Sequence, residues 1–493
     1  MRASGILLHI SSLPSPYGIG TYGKAAYDFV DFLRKTDQTY WQILPLGPTS
    51  YGDSPYQTFS AFANNPYFID LDVLISEKLL KKSEIIASVK DLRRVDYERL
   101  YQERFLVLKK AFKRFDLNDP KFNLFVNENK SWVIDYALFM AIKAHYQGVS
   151  WIYWDEPIRT YDPIAVAHAK ENYQDEMNFH LFLQYKADAQ WMALKKYAND
   201  QGILIVGDMP IYVSYDSSDV WANAELFDLD HHKKPNHVAG VPPDGFTKDG
   251  QLWGNPLYRW DVMEANGFSW WIKRVKAAQI MFDWVRIDHF IGFVNYYQIP
   301  FGDQTAKHGK WIKGPGLKVF QAIHQALGHV NIIAEDLGAI TDEVREVLKA
   351  SGFPGMKIMQ FAFDPKEPSD YLPHNYETNC IVYTGTHDNE TTQTWFNHLD
   401  EATLAYCLDY INHHGSKTRY VDSLIKATLL SIAKTAIIPY QDYLRLAEEA
   451  RMNIPSTLGN NWIWRTKTSD FSKNRLKRIK KWTHLYGRAN KTK

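Results

Sequence analysis

Two cysteines in 493 residues, Cys380 and Cys407, are too few for a disulfide framework, and neither belongs to a C-x-x-C metal pair. One falls in a strand-like apolar run and the other in a helix-like segment, so both read as buried thiols. A reducing cytoplasm is the expected home. Net charge is nearly absent as well, since 57 Lys and Arg stand against 56 Asp and Glu and leave +1. Such a chain has no global field to draw a polyanion, which argues against nucleic acid and for a neutral partner. No apolar run approaches membrane-spanning length, and Gly5-Ile6-Leu7-Leu8 is broken by His9 and Ser11 before it could serve as a secretory core. No membrane association is expected. Repeats and low-complexity tracts are also missing. Aromatics are abundant: 16 Trp, 30 Tyr and 26 Phe make 15% of the chain. Most should fill the core, and those in polar, Gly-rich loops are candidates for stacking on the apolar face of a sugar ring.

Eight short apolar runs cover residues 6–10, 40–46, 203–209, 282–288, 331–337, 356–363, 380–386 and 436–444. Most lack period-two alternation, as parallel strands covered on both faces do. Helical patterns fill several gaps, including 267–281, 317–327 and 341–350; the last opens on Thr341 with an acidic first turn and stops at Gly352. The expected fold is α/β, a (β/α)8 TIM barrel that makes 1–493 a single catalytic domain. Two gaps are too long for simple connections. Residues 64–200 read as a mainly helical insertion after the second run, with amphipathic charged stretches at 75–115 and 179–200. Residues 210–266, rich in Gly, Pro and Asp, read as a loop insertion that builds a substrate groove after the third run. Near the C-terminus, Leu476, Ile479, Trp482 and Tyr486 form one helical stripe among lysines and arginines, which predicts a helix docked by that stripe with its cations in solvent.

Three of the runs end in carboxylates: Arg286-Ile287-Asp288-His289, Ala334-Glu335-Asp336 and Thr386-His387-Asp388-Asn389. A barrel enzyme places its chemistry at the C-terminal tips of its strands, and several acids at one mouth suit glycosidic bond chemistry. Arg286 precedes Asp288 by two, so both side chains point the same way and the cation would hold the carboxylate ionised, as a nucleophile requires. Glu335 follows Ile332-Ile333-Ala334, an apolar setting that raises a carboxyl pKa and retains a proton for donation. Asp336 points the opposite way and is assigned to structure. Asp388 could bind two sugar hydroxyls, His387 and His289 further ones, and Asp208, ending Ile203-Leu204-Ile205-Val206-Gly207, supplies a fourth rim carboxylate. A buried Arg-Asp pair and satisfied core histidines are the plain structural alternatives. A metal site is the other use for four acids and several histidines, but no compact ligand spacing supports one.

At these residues the chain resembles the 4-α-glucanotransferases, glycoside hydrolase family 77 of the α-amylase superfamily. The likeness runs from Gly5 to Arg465 through an ordered series of blocks: His9-Ile10-Ser11-Ser12-Leu13-Pro14-Ser15-Pro16-Tyr17-Gly18-Ile19-Gly20, Tyr51-Gly52-Asp53-Ser54-Pro55-Tyr56, Gly207-Asp208-Met209-Pro210-Ile211-Tyr212-Val213, Gly240-Val241-Pro242-Pro243-Asp244 and Gly250-Gln251-Leu252-Trp253-Gly254-Asn255-Pro256. It continues in the three carboxylate motifs, then in Pro439-Tyr440-Gln441-Asp442 and Ala450-Arg451-Met452-Asn453. The resemblance implies that Asp288 is the nucleophile, Glu335 the general acid/base and Asp388 the transition-state stabiliser, with Arg286 and His387 flanking them. It also implies glucan contacts from Gln251, Trp253, Ser54, Tyr56 and Asp208, and an outer glucan surface at Tyr51. The alternatives are that Ser54-Pro55-Tyr56 is only a turn and Trp253 only a loop anchor. Ile291, Glu390 and Tyr440 depart from the residues frequent in the family at those places.

The implied reaction moves α-1,4-glucan segments between maltooligosaccharides through a covalent glycosyl-enzyme, with no cofactor and no metal. An amylase-like hydrolase using the same acids, or a glucan-binding protein without turnover, are the competing expectations.

Overall fold

In the computed structural model, residues 2–50, 52–85, 92–243, 248–338 and 340–490 are described. Tyr51 and Asp244, both singled out above, lie outside them. In chain order the strands are β1 (Ala3–Leu7), β2 (Tyr40–Gln42), β3 (Leu204–Pro210), β4 (His237–Val241), β5 (Gln251–Pro256), β6 (Trp284–Asp288), β7 (Asn295–Pro300), β8 (Lys310–Lys313), β9 (Ile332–Ala334), β10 (Gly355–Ile358), β11 (Cys380–Tyr383) and β12 (Thr435–Pro439).

Eight of these form one sheet in the order β10-β11-β12-β1-β2-β3-β6-β9, and every pairing in it is parallel. The seam between β9 and β10 is drawn together by the Ala334 N–H, which donates to Pro354 O at 3.0 Å, and by Asp336, whose Oδ1 accepts the Met356 N–H at 2.7 Å. The architecture is a (β/α)8 barrel, as the eight runs predict. The strands are shorter than the runs because apolar character continues into the turns at the mouth. After β12, for example, Pro439 ends the pairing and Tyr440–Leu444 coils into a helical turn.

Within the 64–200 stretch the chain is mainly helical, with Tyr97–Phe112, Lys130–His145 and Gln174–Asp200 as its longest pieces. The last of these runs directly into β3 and packs beside the barrel helix Lys24–Lys35, where Tyr197 donates its hydroxyl to Asp31 at 2.8 Å. Gln184 and Gln190 on this helix each clamp an extended backbone by accepting its N–H and donating to its carbonyl, at Asn64 and at Asp70. These amides satisfy buried loop backbone that no sheet reaches.

The groove segment contains more regular structure than its Gly- and Pro-rich composition suggests. Together with residues 295–313 it supplies a four-stranded antiparallel sheet in the order β5-β4-β7-β8. Its own small core is Val238, Tyr297, Ile299 and Ala306. The alternation of Tyr297 and Ile299 with Tyr296 and Gln298 is the period-two signal for β7.

Candidate active site

The C-terminal ends of β3, β6, β9 and β11 converge on one cluster of charge. Gly207 lets β3 pass at this point, since a Cβ there would lie 2.3 Å from the Phe282 ring. The next residue, Asp208, is buried and receives both of its Arg286 hydrogen bonds from Nη1, each at 2.8 Å. The other arm of the guanidinium, Nη2, lies 2.8 Å from Asp288 Oδ1. Arg286 therefore bridges two carboxylates, a geometry that its i, i+2 relation to Asp288 and the β3-β6 register of Asp208 against Arg286 make possible. Its own pKa is driven well up despite burial, by the charges of Asp208 and Asp288.

Glu335 lies one residue beyond β9 and is buried. Its Oε2 accepts the His289 N–H at 2.6 Å and its Oε1 the Leu337 N–H at 3.0 Å. To present that N–H, His289 takes a left-handed backbone conformation, φ +52°, uncommon for a residue with a side chain. Burial pushes the Glu335 carboxyl up to about 8; Arg286 opposes the shift and the Asp288 charge reinforces it. Glu335 is thus an acid at neutral pH, while Asp288 has a guanidinium against it.

Asp388 stands five residues past the end of β11, in a turn rather than on the strand tip where the sequence reading puts it. The turn is closed by Asn389, whose Oδ1 accepts both the Thr386 N–H and the Thr386 hydroxyl. Burial would raise the Asp388 carboxyl, but His387, Asn453 and Arg286 outweigh it and bring it down to about 2. His387 Nε2 lies 3.2 Å from Asp388 Oδ2. The His387 pKa moves upward, because the pull of Asp388 exceeds the opposing cost of burial. Of the three carboxylates, Glu335 is shut away while the side chains of Asp288 and Asp388 are 29% and 42% exposed.

Rings surround the same cluster. Tyr56 donates its hydroxyl to Asp208 Oδ2 at 2.9 Å and stacks on His387 at 5.0 Å and 13°. Trp253 meets His289 edge-on at 4.8 Å and donates its indole N–H to Gln251 Oε1 at 3.1 Å. Ser54 Oγ accepts the Tyr56 N–H at 3.2 Å, so it shapes the turn that presents Tyr56. His289 Nε2 is buried with no hydrogen-bond partner, and burial lowers its pKa to about 4, leaving a neutral ring. Thus Asp208, Arg286, Asp288, Glu335, His387, Asp388 and Tyr56 share one set of contacts and fields, with Trp253, Gln251 and His289 adjoining through Glu335.

The sequence profile of glycoside hydrolase family 77, described as 4-alpha-glucanotransferase, matches residues 8–470. The chain belongs to this glucanotransferase family. A 4-alpha-glucanotransferase of Streptococcus pneumoniae is 50% identical over 470 residues, 94% of this chain and 93% of its own. One from Clostridium butyricum is 46% identical and covers 98% of this chain and 100% of itself. The structure of amylomaltase from Streptococcus agalactiae in complex with acarbose superposes with a TM-score of 0.96 at 44% identity, over 99% of this chain and 100% of that one.

Two residues of this glucanotransferase that the sequence reading gave no role also reach the site. Asn453 donates its amide N–H to Asp388 Oδ1 at 2.6 Å. Trp462, held at φ +63°, packs its ring at 5.7 Å from Tyr56 and 5.9 Å from His387. The Ala450-Arg451-Met452-Asn453 block carries a signal for the first; nothing local marks the second.

Proposed function

We propose that the chain transfers α-1,4-glucan segments from a donor maltooligosaccharide to the 4-hydroxyl of an acceptor glucan or glucose, with retention, by double displacement. Asp288 attacks the anomeric carbon while Glu335 donates its proton to the departing glycosidic oxygen, which leaves a β-linked glycosyl ester on Asp288. Glu335, now a carboxylate, takes the proton of the acceptor hydroxyl as that oxygen displaces the ester. The observation that carries this reading is the pairing of unlike acids: Asp288 lies against the Arg286 guanidinium while Glu335 holds its proton. The same fields support the change of role. Ester formation removes the Asp288 charge that raises Glu335, whereas Arg286 continues to lower it, so the acid of the first step becomes the base of the second.

Asp388 and His387 bind hydroxyls of the sugar under attack, with Tyr56 and Asp208 beside them, and His289, Gln251 and Trp253 contact the glucan near the cleavage point. Tyr51 would extend the contact outward. The ester conserves the bond energy, so the route calls for no cofactor. No helix among the described residues is long and apolar enough to cross a membrane, and the two buried, unpaired cysteines suit a reducing cytoplasm.

Maltotriose alone tests the assignment. Glucose plus a ladder of longer oligomers is expected; new reducing ends in step with consumption would make the chain a hydrolase, and binding without turnover would make it a scaffold. Asp288→Asn is expected to slow exchange by at least about 10³-fold with glucan affinity kept. Near-normal turnover would reject Asp288 as nucleophile.

A further inference from the structure

Because the Asp388 turn lies beyond β11, strand pairing does not fix it. Asn389 and Thr386 close the turn from within, and a second hold comes from residues 451–453, some sixty-five positions later, as the separation of the Asn453 and Asp388 partners shows. The Asn453 side chain donates to Asp388 Oδ1 at 2.6 Å, and its backbone N–H donates to His387 O at 3.2 Å. Arg451 completes the contact, donating from Nη2 to Asp388 O at 3.3 Å and from Nε to Asn453 O at 3.0 Å, with Nη1 3.5 Å from Glu390 Oε1. One short segment thus grips the main chain of His387 and Asp388 and one carboxylate oxygen of Asp388. The other oxygen is left beside His387 Nε2.

The segment is itself anchored. The Trp462 N–H donates to Met452 O at 2.7 Å, and the Ile454 N–H donates to Asn461 Oδ1 at 3.1 Å. Tyr97 donates its hydroxyl to Trp462 O at 3.2 Å, and the Val95 N–H donates to Ile463 O at 2.7 Å. Trp462 is buried against the same Tyr56 and His387 rings, so the brace and the sugar-facing residues are packed as a unit.

We propose that Asn453 is a positioning residue for the transfer reaction: through its amide it fixes the rotation of the Asp388 carboxylate, so that the oxygen beside His387 is aimed at the sugar hydroxyls before substrate arrives. This rests on the reading of Asp388 as transition-state stabiliser. A short, charge-assisted hydrogen bond to one oxygen removes the freedom a turn residue otherwise has, and preorganisation of this kind acts on the chemical step more than on binding. An amide suits the place because it donates without adding charge. A carboxylate there would have to share a proton with Asp388.

The test compares the parent, Asn453→Ala, Asn453→Asp and Asp388→Asn on maltotriose across pH 4 to 9, normalised to folded protein by circular dichroism. Asn453→Ala is expected to lose about 10²-fold in kcat with KM within about threefold. Asn453→Asp is expected to show, besides low kcat, an acid limb displaced toward neutral pH that neither the parent nor Asn453→Ala has. Should Asn453→Ala fold poorly, the near-isosteric Asn453→Asp still supplies the pH readout. Inactive Asp388→Asn together with parent-like kcat and pH profiles in both Asn453 variants would overturn the proposal alone. Losses that track only the folded fraction, with the profile unmoved, would overturn it too. Near-normal Asp388→Asn would reject the role of Asp388 itself.

Discussion

Glu335 has two consequences that a single pH series can read. As the proton donor of the first step it must be protonated, so kcat/KM is expected to be level below about 8 and to fall roughly tenfold per unit above it. Its folded pKa stands above the ordinary glutamate value of 4.5, so the folded chain holds a proton between those limits that the unfolded chain has released. Stability contributed by this group is therefore full below about 4.5 and is lost as pH rises toward 8. Glu335→Gln removes that loss, and the Tm of the variant minus that of the parent is expected to rise between pH 5 and 8. A flat difference in pH-resolved thermal denaturation would show that Glu335 is ionised throughout. Much at this scale was legible beforehand. The i, i+2 spacing of Arg286 and Asp288 fixes their shared face, and the apolar run before Glu335 anticipates its burial. The Asp208-Arg286 pair and the Asn453-Asp388 bond were not legible, because they join residues 78 and 65 positions apart.

Among the elements, the β9-β10 seam is a place where the barrel depends on a side chain. Asp336 accepts the Met356 N–H across it, and a Cβ on Gly355 would come 2.4 Å from the Asp336 carboxylate, so glycine and aspartate fit there together. Asp336→Ala strands a buried N–H and is expected to cost about 1–3 kcal/mol in denaturant unfolding, with KM for maltotriose unchanged. A rise in KM at parent stability would instead place Asp336 in the substrate path. The barrel strands stood out in the sequence because parallel strands buried on both faces need continuous apolar runs. The β4-β5-β7-β8 sheet did not, since a small sheet at the rim carries glycines, prolines and half-exposed aromatics that resemble loop composition. Strands end short of the apolar runs where hydrophobic residues carry on into the turns of the mouth.

For the whole molecule, the closing of the chain falls to Arg488. The sequence predicts a final helix docked by its apolar stripe with its cations in water; Lys473–Leu485 is a helix with Ile479 and Trp482 buried, but Arg475 and Arg478 turn inward and donate to Asp470 O and Tyr443 O. Arg488, just beyond, is fully buried and donates to the carbonyls of Leu429, Ala3, Lys434, Ser431 and Ala433, tying the C-terminal segment to β1 and the approach to β12. Burial lowers its pKa to about 9, so it is still a cation at neutral pH. Arg488→Met is expected to lose about 3 kcal/mol, read by denaturant unfolding, because these carbonyls lose a charged donor, while exchange kinetics of the folded fraction stay at the parent level. Unchanged stability would show that water replaces the guanidinium without loss. By itself the sequence determined the eight strands, the places of Asp288, Glu335 and Asp388 at or just beyond the ends of three of them, and the pairing of Arg286 with Asp288, since strand period and local apolarity are short-range properties. Only the tertiary structure decided that Arg286 serves two carboxylates, that Asn453 and Trp462 support the Asp388 turn, and that Arg488 fastens the barrel floor. Those contacts join distant parts of the chain, and their strength comes from the burial that folding alone creates.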